Sequence, residues 1–119
     1  MTTTLARIII SVSDLDRALA LYRDVLRLSV NTLTPPIARL QTDGPSVEVM
    51  LHERLPTPGD AGVAPSFAVD DVDAATSEAV AAGATVLDAP TDQPWGERQS
   101  VLRDPDGHVI CLVAATRPR

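Results

Sequence analysis

The stretch Val12-Ser13-Asp14-Leu15-Asp16-Arg17-Ala18 recurs in the second half of the chain as Val69-Asp70-Asp71-Val72-Asp73-Ala74-Ala75. In both copies an apolar, strand-like run leads into an aspartate able to cap a helix. Apolar residues at three- and four-residue spacing then follow. Each half goes on through further strand-like segments to an Asp-Gly turn, Asp43-Gly44 or Asp106-Gly107, and a last strand. A sequence that repeats a whole supersecondary unit has few folds open to it. The pattern predicts an α+β protein of two tandem βαβββ repeats. The first covers about residues 5–53, a linker about 54–64, and the second about 65–115.

Within the first repeat, Leu5 to Val12 reads as a strand. Asp14 caps a helix whose apolar stripe is Leu15, Ala18, Leu19, Tyr22, Val25 and Leu26. Strands are expected near 29–34, 37–42 and 46–53. Pro56, Pro58 and Gly59 mark the linker, because neither a strand nor a helix interior tolerates that density of breakers. In the second repeat Ser66 to Val69 is a strand, and Asp71 caps a helix from Val72 that Gly83 closes. Strands follow at 85–87, 98–103 and 109–114. The last two form a hairpin around Asp104-Pro105-Asp106-Gly107, with proline presetting φ and Gly107 taking the left-handed position.

Composition narrows the function classes. The 119 residues suffice for one compact domain with a real core. A net charge of −6 argues against nucleic acid as a partner, since no basic face meets phosphates. No apolar run is long enough to span a bilayer, and the amino terminus lacks the basic-then-apolar pattern of a secretory signal. Cys111, the single cysteine, rules out an internal disulfide and suits a reducing compartment. A cytoplasmic protein is the expectation.

These motifs resemble the vicinal oxygen chelate superfamily, the group of glyoxalase I, bleomycin resistance proteins and extradiol dioxygenases. The resemblance rests on Ser13-Asp14-Leu15-Asp16-Arg17-Ala18-Leu19 with Tyr22-Arg23-Asp24-Val25-Leu26, on Val69-Asp70-Asp71-Val72, and on Pro94-Trp95-Gly96 through Asp104-Pro105-Asp106-Gly107. It implies that each repeat curls into a half-barrel, that two half-barrels enclose a cavity, and that the protein forms a homodimer. It fixes no single activity, because one scaffold hosts several chemistries and many binders.

The resemblance also places the metal ligands of metal-using members. They sit on the first and last strand of each repeat, at or near Arg7, Glu48, Ala64 and Cys111 here, with Ser66 facing the same way as Ala64. A divalent centre needs about three oxygen, nitrogen or thiolate donors. Arginine is a permanent cation and alanine has no donor, so neither a metal nor another cofactor is expected. Alternation along the strands puts Arg7 and Ile9 on one face of the first, and Glu48, Met50 and His52 on one face of the fourth. Arg7 and Glu48 then meet as a buried ion pair. That pair either neutralises a polar spot or offers Arg7 to an anionic or carbonyl group of a ligand. Trp95 either stacks on a planar ligand, as aromatic residues near this place do in relatives, or plugs the end of its half-barrel.

The expected site therefore comprises Arg7, Ile9, Glu48, Met50, His52, Ser66, Trp95 and Cys111, in a cavity suited to a small or medium apolar guest. Three functions stay open. One is a metal-free binder that sequesters a drug or metabolite, of the antibiotic-resistance type. Another is an enzyme of lyase, isomerase or dioxygenase kind using Glu48, and the third is a non-binding structural relative. The binder is favoured, because Arg7 beside Glu48 lowers its pKa and weakens it as a base. Arg27 stands where relatives carry glycine. A left-handed arginine costs about 1 kcal/mol, so a turn of another shape is expected there.

Overall fold

The computed structural model describes residues 5–59 and 62–116. The chain divides into two compact units, the break falling between Thr57 and Pro58. Unit one runs β1 (Arg7–Val12), α1 (Leu15–Leu19), β2 (Ser29–Thr34), β3 (Ile37–Gln41) and β4 (Glu48–Glu53). Unit two runs β5 (Ser66–Ala68), α2 (Val72–Ala81), β6 (Thr85–Asp92), β7 (Glu97–Arg103) and β8 (Val109–Ala115). Each unit is one four-stranded mixed sheet, ordered β1-β4-β3-β2 in the first and β5-β8-β7-β6 in the second. In both, the first strand pairs parallel with the last and the other pairings are antiparallel. The predicted βαβββ repeat is thus present twice, with the same strand order.

Side-chain alternation decides which face of each sheet is covered. In unit one Ile10, Val12, Ala38, Leu40, Val49 and Leu51 are buried, together with Leu15, Ala18, Leu19, Leu21 and Tyr22 of the helical segment. In unit two Leu102, Ile110 and Leu112 are buried together with Val72, Ala75 and Ala79 of α2, which packs on β6, β7 and β8. Tyr22 and Phe67 are core residues, as their neighbours in sequence suggest.

Both helices begin as the aspartates require. Asp14 accepts a hydrogen bond from the amide of Arg17 and Asp71 one from the amide of Ala74, each at 3.0 Å. Leu15 donates its amide to Glu53 Oε2 at 2.8 Å, tying the start of α1 to the end of β4.

Three expectations are corrected. α1 does not continue as a regular helix: residues Ala20–Val25 are π-helical, and the Leu26 amide donates to Leu21 O at 2.9 Å. The wider turn shifts the phase of the stripe. Leu21 becomes fully buried, while Val25 and Leu26 stay half-buried. Arg27 does adopt the left-handed conformation, with φ of 63°, as the Leu28 amide turns back to Tyr22 O at 3.1 Å. Burying Leu28 offsets that backbone strain. Finally, β6 extends to Asp92 instead of stopping at Leu87. Its register with β7 shifts twice, and it is the outer strand of its sheet. Pro90, which lacks a donor, is tolerated on such an edge.

The Asp104 turn is built from its side chain. Asp104 is 3% exposed, and its Oδ1 accepts from the amides of Asp106 (3.0 Å) and His108 (2.8 Å). Gly107 closes the turn with φ of 92° and donates to Asp104 O at 2.9 Å.

Candidate functional site

The uncovered face of the first sheet carries the chemistry. Arg7 and Glu48 are Cα partners on β1 and β4, followed by Ile9 with Met50 and Ser11 with His52. Across β4 the partners are Gln41 with Glu48, Arg39 with Met50, and Ile37 with His52. These residues are half-buried or exposed, in contrast to the buried residues between them.

Glu48 lies between two arginines. Arg7 Nε donates to Glu48 Oε2 at 2.6 Å. Arg39 Nε lies 3.0 Å from Oε1, buried but too poorly aligned for a hydrogen bond, so the contact is ionic. The hydrogen bond from Arg7, followed by the charges of Arg39 and Arg7, holds the Glu48 carboxyl below its ordinary range, while partial desolvation works against them. The expected buried pair is corrected here: the side chains of Arg7 and Glu48 are 39% and 21% exposed. Arg54, which follows β4, donates from Nε to Ser11 Oγ at 2.7 Å and brings a third guanidinium to the end of this face. In a chain of net charge −6, this face holds three arginines against one carboxylate.

Arg39 and Arg54 are absent from the sequence-based site. Arg39 was legible in principle, since the Asp43-Gly44 turn sets the pairing of β3 with β4 and alternation then fixes its face. Arg54 lies past the strand, where periodicity carries no signal.

In unit two, Ser66 is the Cα partner of Cys111, whereas Ala64 lies outside β5. Cys111 is half-buried and paired on its other side with Val101. Trp95 does not plug its unit: it is 61% exposed on the β6–β7 connection, with its indole Nε1 donating to Glu97 Oε1 at 2.8 Å. Its flat faces are open while its one donor is engaged. A cleft of about 430 Å³ lies elsewhere in the unit, lined by Asp70, Asp71, Asp73, Asp92, Arg98 and Ala114 among others. Arg98 there meets Asp73 at 2.7 and 3.0 Å and Asp92 at 3.0 Å. Its guanidinium is satisfied within the cleft.

A sequence model of the Glyoxalase/Bleomycin resistance protein/Dioxygenase superfamily matches residues 4–112. The chain belongs to this superfamily. An uncharacterised protein of Mycobacterium tuberculosis is 42% identical over 71 residues, covering 50% of this chain and 42% of that protein. A second relative from that species bears the name "Putative glyoxylase CFP32" and is 45% identical over 47 residues, 40% of this chain and 18% of its own. The chain therefore spans less than half the length of these relatives. Among solved structures, a glyoxalase-related enzyme from Fulvimarina pelagi superposes with a TM-score of 0.79 at 21% identity, covering 95% of this chain and 88% of that one. A superfamily member from Sphaerobacter thermophilus gives 0.69 at 28% identity, covering 95% and 98%.

The donor set does not fit the metal that some superfamily members use. Of the four positions the family pattern assigns, Arg7 brings a cation, Ala64 has no donor, Ser66 in its place brings only a hydroxyl, and Cys111 brings a lone thiol. Glu48 is already engaged by two guanidinium groups. Among the described residues, no group of three or more His, Cys, Asp or Glu could hold a metal ion. Among the described residues no helix is long and apolar enough to cross a membrane.

Proposed function

We propose that this chain is a metal-free small-molecule binder of the superfamily, sequestering a drug or metabolite without converting it. The observation that carries this reading is the Arg7–Glu48–Arg39 cluster at a family metal position. Two permanent cations repel a divalent ion there and keep the carboxylate ionised, which makes Glu48 a weak proton acceptor. Ile9 and Met50 supply apolar surface beside it and His52 a polar contact, and in the second unit Trp95 offers an exposed flat aromatic surface of its own. Ser66 and Cys111, side by side on the second sheet, line the equivalent place in their own unit.

The protein acts as a cytoplasmic homodimer in this reading. Support for assembly comes from β2, an outer strand exposed along its whole length and carrying Val30 and Leu33 in the open. Such an edge calls for a partner.

Elemental analysis of the purified protein, with thermal melting against a panel of small molecules, tests the reading. We expect no stoichiometric metal and a rise in Tm with at least one chemical class. Stoichiometric zinc, iron or manganese that is lost in Glu48→Gln overturns it.

A further inference from the structure

The structure assigns a chemical class to the guest: resting on the binder reading above, we infer that the open face of the first sheet takes a small monocarboxylate with an apolar body. Arg7 and Arg39 each direct Nε toward Glu48. Among the described residues no hydrogen bond engages the terminal nitrogens of either guanidinium, and only the Nε atoms are turned to Glu48. A guanidinium presents five N–H donors in a planar fork that matches a carboxylate. Most of this donor capacity is therefore left for a ligand.

Charge selects the valence of that ligand. Arg7 and Arg39 against Glu48 leave one positive charge at the cluster, while Arg54 is held by Ser11 at the other end of β1. A monoanion balances the cluster. A dianion such as phosphate meets the fixed negative charge of Glu48 at close range. Glu48 also orients the two arginines, so their donors are held in place before the ligand arrives. Ile9, 51% exposed, and the half-buried Met50 beside it then provide the apolar floor next to the charged head, the pairing of surfaces that ligand sites use.

The test measures binding of butanoate, hexanoate, benzoate and 3-phenylpropanoate by calorimetry. Each is compared with the alcohol of the same skeleton, with inorganic phosphate as a further probe. At least one carboxylate is expected to bind about tenfold or more tightly than its alcohol, with phosphate weaker than both. Arg39→Met, a change at a part-exposed position, is expected to lower carboxylate affinity about tenfold while leaving the alcohol unchanged. Raised salt should weaken the carboxylate alone. Equal binding of carboxylate and alcohol, or an unaffected Arg39→Met, overturns the assignment while leaving a small-molecule binder standing. Phosphate binding as tightly as the carboxylates overturns it as well. Failure of every charged and neutral compound, here and in the melting panel, removes both readings.

Discussion

Arg7 and Glu48 face each other across the parallel β1–β4 pair, Nε to Oε2 at 2.6 Å, and Arg39 reaches the other oxygen from the opposite neighbour strand. One carboxylate thus links three adjacent strands of the first sheet. That geometry gives stability an acid dependence whose direction follows from the lowered carboxyl pKa. A folded-state value below the unfolded value of about 4.3 means that the contribution is complete above the unfolded value. It is lost as pH falls through the folded one. Urea midpoints of the wild type and Glu48→Gln, followed from pH 7 to pH 3, should differ at neutral pH and converge in acid. A gap independent of pH would show that the pair does not act through charge.

The buried hydroxyls of Thr76 and Ser100 lie 2.8 Å apart beneath α2. Thr76 gives its only proton to Val72 O at 2.6 Å, so Ser100 is the donor to Thr76 Oγ1. Thr76→Val strands the Ser100 hydroxyl in the core and should cost about 1–3 kcal/mol. Ser100→Ala leaves Thr76 its carbonyl and should cost less. Chemical denaturation of both single variants and the double should show the double costing less than the sum.

The Asp104 turn should be among the most sensitive surface-connected sites. Asp104→Ala removes the acceptor of two amides in a buried position and should destabilise by about 2–3 kcal/mol. Asp104→Asn, which keeps an acceptor oxygen, should do so by less. Gly107→Ala places a Cβ 3.3 Å from Pro58 Cγ at φ of +92°, a conformation strained for alanine, and should cost about 1–3 kcal/mol. Thermal melts of the three variants order these effects.

Arg27→Gly should raise stability by about 0.5–1 kcal/mol, because φ of 63° is free of strain only for glycine. A lowered midpoint in urea would mean that the arginine side chain contributes more than its backbone loses.

Much of the fold was legible because its signals are local. Asp14 and Asp71 announce helix starts, Gly83 an end, and Asp43-Gly44 and Asp106-Gly107 the turns, so the repeat could be counted before any pairing was known. The misses are places where tertiary context overrides local rules. The π-helical turn at Ala20–Val25 buries Leu21 and Leu28 at the expense of a regular stripe. Arg27 accepts strain that packing of Leu28 offsets. Pro90 hid the extension of β6, since proline normally argues against a strand. At the site, Arg7, Ile9, Glu48, Met50 and His52 could be placed by counting along two strands. Arg39 needed the register between β3 and β4, and the openness of Trp95 depended on Glu97 drawing its indole N–H along the loop.

Strand order is the same in both units, yet the side chains at one set of paired positions differ in kind: Arg7 beside Glu48 in the first sheet, Ser66, Cys111 and Val101 side by side in the second. In the inner strands β3 and β4 every second residue belongs to the core, and the remainder answer to nothing beneath them. A duplicated scaffold of this sort lets evolution rewrite one open surface while the hidden half of the same strand, and its twin elsewhere in the chain, go untouched. New specificity then arrives through substitutions at odd or even positions alone, with folding left to the others.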